Sequence, residues 1–148
     1  MEPVQFSFDF GIFHIFKYSN KLINKGRKRV TMSSQVTIVV NSPPYGNELA
    51  WNALRLAKAL LKKDVKVNVF LLGDGVSVAL RGQRTPQGYY NLEQTLSELV
   101  QAGVSIRACR TCCSARGIDE NSIATGVQIG GIMDLAEWVK NSKQVLVF

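Results

Sequence analysis

The stretch RACRTCCSARGI, Arg107 to Ile118, holds all three cysteines of a 148-residue chain: Cys109, Cys112 and Cys113. Sulfur packed this closely serves one of four ends: a metal clamp, a disulfide, inert packing or a reactive thiol. A structural zinc site wants four ligands, commonly as two separated pairs. Here there is one cluster, and the single histidine, His14, lies far upstream. Neighbouring Cys112 and Cys113 point apart and suit one ion poorly, and iron–sulfur ligation meets the same shortage. Neither a metal nor a cofactor is therefore expected. A Cys109–Cys112 disulfide stays open, because C-x-x-C spacing permits thiol–disulfide exchange. Cys113 reads as a buried small residue, since free cysteine is among the most buried side chains.

Cys109 carries the sharper expectation. It stands at the end of the apolar run VSIRA, flanked by Arg107, Arg110 and Arg116. Backbone amides opening a helix and nearby guanidinium groups favour thiolate over thiol, and partial exposure would make that thiolate a nucleophile. With the single histidine, His14, far upstream of the cysteines, a cysteine-protease mechanism and a Ser-His-Asp triad both fall away. What remains is chemistry in which a thiolate needs no base: attack on sulfur, giving a persulfide.

The surrounding elements must place that thiolate. The β-branched run QVTIVV (35–40) predicts a buried strand, and the breaker-rich NSPPYGNE (41–48) predicts a loop. A helix is expected from about Asn47 to Lys63, with Ala50, Ala53, Leu54, Ala57, Leu60 and Leu61 inward and Leu49 and Leu56 widening the stripe. Trp51 falls on the side of Arg55, Lys58 and Lys62, either covered by lysine stems or facing another subunit. VKVNVFLLGDGV (65–76) predicts a second strand ending in a Gly-Asp-Gly turn, which lacks the dinucleotide fingerprint. A second helix is expected over Leu92–Ala102, closed by Gly103, then a third strand over Val104–Ala108, with the cysteine loop leaving its carboxyl end. Asp119 is expected to cap a following helix, Ile132, Leu135, Ala136 and Val139 to face inward on a later one, and QVLVF (144–148) to close the chain as a strand. Strands alternating with helices imply an α/β single-domain three-layer sandwich, a mostly parallel sheet with helices on both faces. Right-handed crossovers then gather SPPYG, GDGV and the cysteine segment at one sheet edge.

Composition sets the outer bounds. Apolar residues are 46% and charged residues 20%, an ordinary globular balance for one domain. Clustered cysteines do not form a secreted disulfide framework, so a reducing cytoplasm is expected. Six basic and two acidic side chains in residues 1–31 account for a net +4 of the chain's +7. The basic excess is thus mostly local to KGRKR, which weakens a nucleic-acid reading for the whole protein. Apolar residues precede the basic ones, the reverse of a secretory signal, and no stretch nears the ~20 apolar residues that span a bilayer. The expected organisation is a basic leader over 1–31, an upstream translation or loose arm, and the working domain from Met32 to Phe148. The leader's other reading is a membrane- or RNA-contacting arm.

The pieces VTIVVNSPPYG, VNVFLLGDGV, GVSIRACRTCCSARGID and QVLVF, from about Gln35 to Phe148, resemble the DsrE/DsrF/TusD family of small sulfur-relay proteins. Pro-x-Tyr-Gly after the first strand and a cysteine eight residues before the Gly of Arg-Gly-Ile carry the likeness. The resemblance implies a sulfur carrier with persulfide on Cys109, Cys112 completing the C-x-x-C form of some members, and Arg116 and Gly117 as the family's Arg-Gly. It also implies sulfur donor and acceptor proteins as partners and a homotrimer or homohexamer, with heteromers known. Cys113 and the leader depart from the pattern. Within this reading Arg116 either stabilises the thiolate or holds the loop by its carbonyls, and Tyr45 either walls the site or packs the turn. Arg81 and Arg84 either meet an acidic partner or stay solvated. Two other readings stand beside it: a thiol–disulfide redox protein using Cys109 and Cys112, and a non-catalytic oligomeric module binding a small anion or nucleotide.

Overall fold

The computed structural model describes residues 34–148; the expected leader over 1–31 and the start at Met32 lie outside the described residues. Five strands form one sheet: β1 (Gln35–Val40), β2 (Lys66–Leu71), β3 (Ser105–Cys109), β4 (Gln128–Gly130) and β5 (Gln144–Val147). Their order is β4-β3-β2-β1-β5, and every pairing is parallel. β1 is buried along its whole length, as an interior strand covered on both faces must be. The helices are α1 (Leu49–Leu61), α2 (Leu92–Gln101), α3 (Arg110–Ser114) and α4 (Ile132–Asn141), with a 3-10 segment over Gly73–Ala79.

Alternation along the strands sorts side chains into two layers. Val36, Ile38, Val40, Val67, Val69, Leu71, Ile106 and Ala108 are buried on one face. Ala50, Ala53, Leu54 and Ala57 of α1 and Leu92, Leu96 and Leu99 of α2 complete that core. The opposite face meets α4 through more polar contacts. Thr37 bonds Ser142 at 2.8 Å, Phe70 meets Trp138 edge-on at 6.0 Å, and Arg107 pairs with Asp134 at 2.7 Å. The result is the expected three-layer α/β architecture, with two long helices on one face and α4 on the other. Among the described residues no helix is long and apolar enough to cross a membrane.

Several boundaries differ from expectation. The residues that seat α4 are Asp134, Trp138 and Ser142, spaced four apart on one helical stripe. Leu135 is buried as expected, but Ile132, Ala136 and Val139 are exposed, because the sheet face beneath is half polar and takes a polar-aromatic stripe. β2 ends at Leu71, and the expected Gly-Asp-Gly turn, with Gly73 at φ +58°, opens the 3-10 segment. Asp119 caps no helix; its carboxylate accepts from the amide of Ser122 at 2.9 Å within a turn. The short strand β4 carried too few residues for a periodic signal.

Gly75 fixes the 3-10 segment against the first strand. Its amide donates to Asn41 O at 3.0 Å, and a Cβ built on it would lie 2.0 Å from Val40 O. Only a residue without a side chain allows that approach. The Gly-Asp-Gly turn is thereby pressed onto the carboxyl end of β1, beside the carboxyl end of β3.

Candidate functional site

Cys109 is both the last residue of β3 and the N-cap of α3. The chain passes from strand to helix without the expected loop, so Cys112 and Cys113 are helical. Cys109 is 4% exposed, buried where partial exposure was expected. Its Sγ lies 3.2 Å from Thr111 Oγ1. Burial pushes its thiol up, but hydrogen bonds from the side chains of Cys112 and Thr111 and from their backbone amides outweigh burial. The net result holds Cys109 below the ordinary thiol range.

The other two thiols differ in kind. Cys112 is half-buried, and its Sγ accepts the amide of Gly73 at 3.3 Å. Cys113 is 1% exposed and packs in the core. Burial first, then the negative charge of Cys109 and Cys112, hold its thiol above the ordinary range, with Arg116 pulling weakly the other way. Cys113 therefore matches its expected packing role and is electrostatically the least reactive of the three.

Arg116 donates to Cys112 O at 3.0 Å and to the carboxylate of Asp74. It thus clasps the end of α3 to the Gly-Asp-Gly turn, the carbonyl-holding reading extended by an ion pair. Gly117 follows with φ +64°, the left-handed residue that turns the chain out of the helix. Arg110 is exposed at the first position of α3. Arg107, expected beside Cys109, is spent elsewhere: it pairs with Asp134 and lies over the Trp138 ring at 4.9 Å. The Cys109 sulfur is partnered by the Thr111 hydroxyl at 3.2 Å instead of by a guanidinium.

Tyr45 stands on a different arrangement. Its hydroxyl bonds Gln83 and accepts the Leu92 amide at 3.2 Å, so it secures the 81–92 segment, the turn-packing role. Its ring stacks at 5.9 Å on Tyr90, which lies over Trp51 at 4.5 Å, and Arg55 covers Trp51 at 5.8 Å. Trp51 is thus sheltered by Tyr90 and an arginine instead of lysine stems. Arg81 donates through Nε to Ile123 O. With Arg107, Glu120, Gln128 and Asp134 it lines a cavity of about 560 Å³ along β4, whose lining includes no cysteine. Among the described residues no three His, Cys, Asp or Glu side chains are grouped to hold a metal ion.

Thr111, Gly73 and Asp74 are site residues that sequence reasoning missed. The crossover rule puts Gly-Asp-Gly at the same sheet edge as the cysteines, and that is the sequence signal that pairs them. Thr111 became visible only once position 109 proved to cap a helix, which turns residue 111 back toward it.

A parallel α/β sheet whose third strand ends in Cys109, with Cys112 one helical turn on, defines a compact thiol site at a strand carboxyl end. The chain belongs to the DsrE/DsrF-like family, whose family model matches residues 34–148. It is 39% identical over 116 residues to protein YchN of Escherichia coli K12, covering 77% of this chain and 98% of YchN. The crystal structure of the E. coli YchN protein superposes with a TM-score of 0.74 at 38% identity, covering 78% of this chain and 99% of that one. A protein named sulfurtransferase TusD, from Cronobacter sakazakii, is 29% identical over 125 residues, covering 76% of this chain and 98% of TusD.

Proposed function

We propose that this protein carries sulfane sulfur as a cysteine persulfide on the Cys109/Cys112 pair and hands it to a partner protein. The observation that carries the reading is the pair itself. One sulfur is buried beside the Thr111 hydroxyl and the other, half-exposed one helical turn away, accepts the Gly73 amide. A stabilised thiolate needs no histidine to attack sulfur. Membership of a family with a relative named sulfurtransferase supports the same chemistry. Arg116, Gly117 and Asp74 hold the pair's helix in place, and Arg110 presents a positive charge to an incoming protein.

The carrier acts as a homo-oligomer, a trimer or hexamer, in the cytoplasm. Exposed Ile132, Met133 and Val139 on α4 and Val147 on β5 support a subunit contact there. Light scattering after size exclusion is expected to give a mass several times that of one chain; a monomer at micromolar concentration contradicts the assembly without touching the chemistry.

The test of the chemistry is intact-mass spectrometry after incubation with a sulfane donor. The chain should gain one sulfur atom, removed by reductant, and the gain should vanish in a Cys109→Ala, Cys112→Ala double variant. Loss of two hydrogens with no sulfur gained would instead identify a dithiol–disulfide redox protein.

A further inference from the structure

The cavity of about 560 Å³ along β4 has no part in the chemistry described so far. Arg81, Arg107, Glu120, Thr125, Gln128 and Asp134 supply its polar wall. Arg107 and Asp134 are fixed before any ligand arrives. They pair at 2.7 Å, and the Arg107 guanidinium lies over the Trp138 ring at 4.9 Å. Gly130 makes room for that pair: a Cβ built on it would lie 2.9 Å from Arg107 Cδ and 3.0 Å from Asp134 Oδ2. Arg81 is anchored through Nε to Ile123 O, which leaves its two outer nitrogens for a ligand. Among the described residues neither Arg81 nor Glu120 has an ion-pair partner.

These walls select a ligand by charge and size. Two guanidinium groups suit carboxylates, while Glu120 and Asp134 repel a polyanion and suit an ammonium group. A ligand that satisfies both signs is a zwitterion. The volume falls within the range of about 300–1,000 Å³ typical of small-molecule sites, which a peptide of two or three residues fills better than a single amino acid. Position adds the third constraint. Arg107 and Cys109 stand two apart on β3 and so share a sheet face. The Arg107 side chain leans toward Gly130, the ladder partner of Cys109. The cavity therefore ends at the level of the cysteine, about one strand spacing of 4.8 Å to its side.

We propose that this cavity binds a low-mass zwitterionic peptide thiol in its persulfide form, and that this molecule delivers sulfur to Cys109. The assignment names the donor class for the persulfide reading and rests on that reading. Arg81 and Arg107 take the carboxylates, and Glu120 with Asp134 takes the ammonium group. The peptide's sulfur, in the middle of the ligand, reaches toward the third strand. The Cys109 thiolate attacks the outer sulfur of the peptide persulfide. A sulfur–sulfur bond forms at Cys109, the donor's sulfur–sulfur bond breaks, and its electron pair leaves on the peptide thiolate. The proton of the outer sulfur travels with it. One sulfane sulfur changes carrier, so no oxidant or reductant is consumed.

The test compares two donors on the full chain, with initial loading rates followed by intact-mass spectrometry. Glutathione persulfide is the zwitterionic peptide donor, and inorganic polysulfide carries sulfane sulfur without the peptide. Loading from glutathione persulfide should saturate with its concentration. S-methylglutathione, which cannot transfer sulfur, should compete with glutathione persulfide and leave polysulfide loading unaffected. Arg81→Gln removes a carboxylate partner and Glu120→Lys reverses the charge meant for the ammonium group. Each should lower the ratio of the glutathione persulfide rate to the polysulfide rate about tenfold at low donor concentration. The ratio cancels any general loss of thiol reactivity. An unchanged ratio in both variants, or no competition by S-methylglutathione, overturns the site. Wild-type protein that loads from polysulfide and not from glutathione persulfide overturns the donor class while the carrier reading stands. Wild-type protein that gains sulfur from neither ends the carrier reading, and the donor assignment falls with it.

Discussion

The hydroxyl of Thr111 is the contact at Cys109 that can be removed most cleanly. It lies 3.2 Å from the sulfur, and Thr111 is exposed, so valine there should fold normally. A hydrogen bond to a charged acceptor contributes about 1.5–3 kcal/mol net. Water can replace part of that bond at an exposed position, leaving a loss of about 1 kcal/mol. At roughly 1.4 kcal/mol per tenfold, this lowers the thiolate fraction about fivefold on the acid side of the titration. The assay is the rate of iodoacetamide alkylation at Cys109, followed by peptide mass spectrometry across pH. Thr111→Val should displace the profile to higher pH and slow alkylation about fivefold on the acid side, with little change at high pH. Thr111→Ser, which keeps the hydroxyl, should stay close to wild type. Superimposable profiles for Thr111→Val and the wild type would refute the claim that this hydroxyl stabilises the thiolate.

Gly75→Ala places a methyl group 2.0 Å from Val40 O. It should lower stability by about 2–3 kcal/mol, read as a lower urea midpoint at unchanged slope. Cys113→Ala removes one buried sulfur and should cost about 1 kcal/mol, while sulfur loading at the pair persists; loss of loading in a folded variant would place Cys113 in the chemistry. The pH dependence of stability has a definite sign. Cys109 is held below the ordinary thiol range, so its contribution is full above the unfolded value of about 8.5 and is lost as pH falls through its folded midpoint. The stability difference between wild type and Cys109→Ser, measured under reductant, should therefore grow as pH rises toward that value; a flat difference would contradict the assignment. Cys113 has the opposite sign: its thiol is held up, and its contribution is lost only as pH rises through its own folded midpoint.

The strands were legible because their chemistry is strong and local. QVTIVV is β-branched throughout, and β1 occupies those six residues. The second helix was legible from its stripe and the stop at Gly103, whose φ is +88°. Legibility failed where tertiary contacts choose among local options. The stripe of Ile132, Ala136 and Val139 is a sound helical pattern, but the sheet beneath presents Thr37, Phe70 and Arg107 and therefore takes Asp134, Trp138 and Ser142. The three arginines near Cys109 in sequence suggested guanidinium stabilisation. Strand alternation sends Arg107 across the sheet face to Asp134, and Arg116 reaches Asp74. Proximity along the chain overstates proximity of side chains wherever a strand turns straight into a helix. The convergence of Gly-Asp-Gly with the cysteines followed from the right-handed crossover rule, yet the bond from Gly73 N to Cys112 Sγ needed the fold.

The most direct test is sulfane sulfur released by cyanide from the purified chain after donor loading and removal of excess donor. One releasable sulfur atom per chain is expected in the wild type and in Cys113→Ala, and none in the variant lacking both Cys109 and Cys112. A wild-type protein that yields none, or a double variant that yields as much as the wild type, would contradict a persulfide site at the end of the third strand.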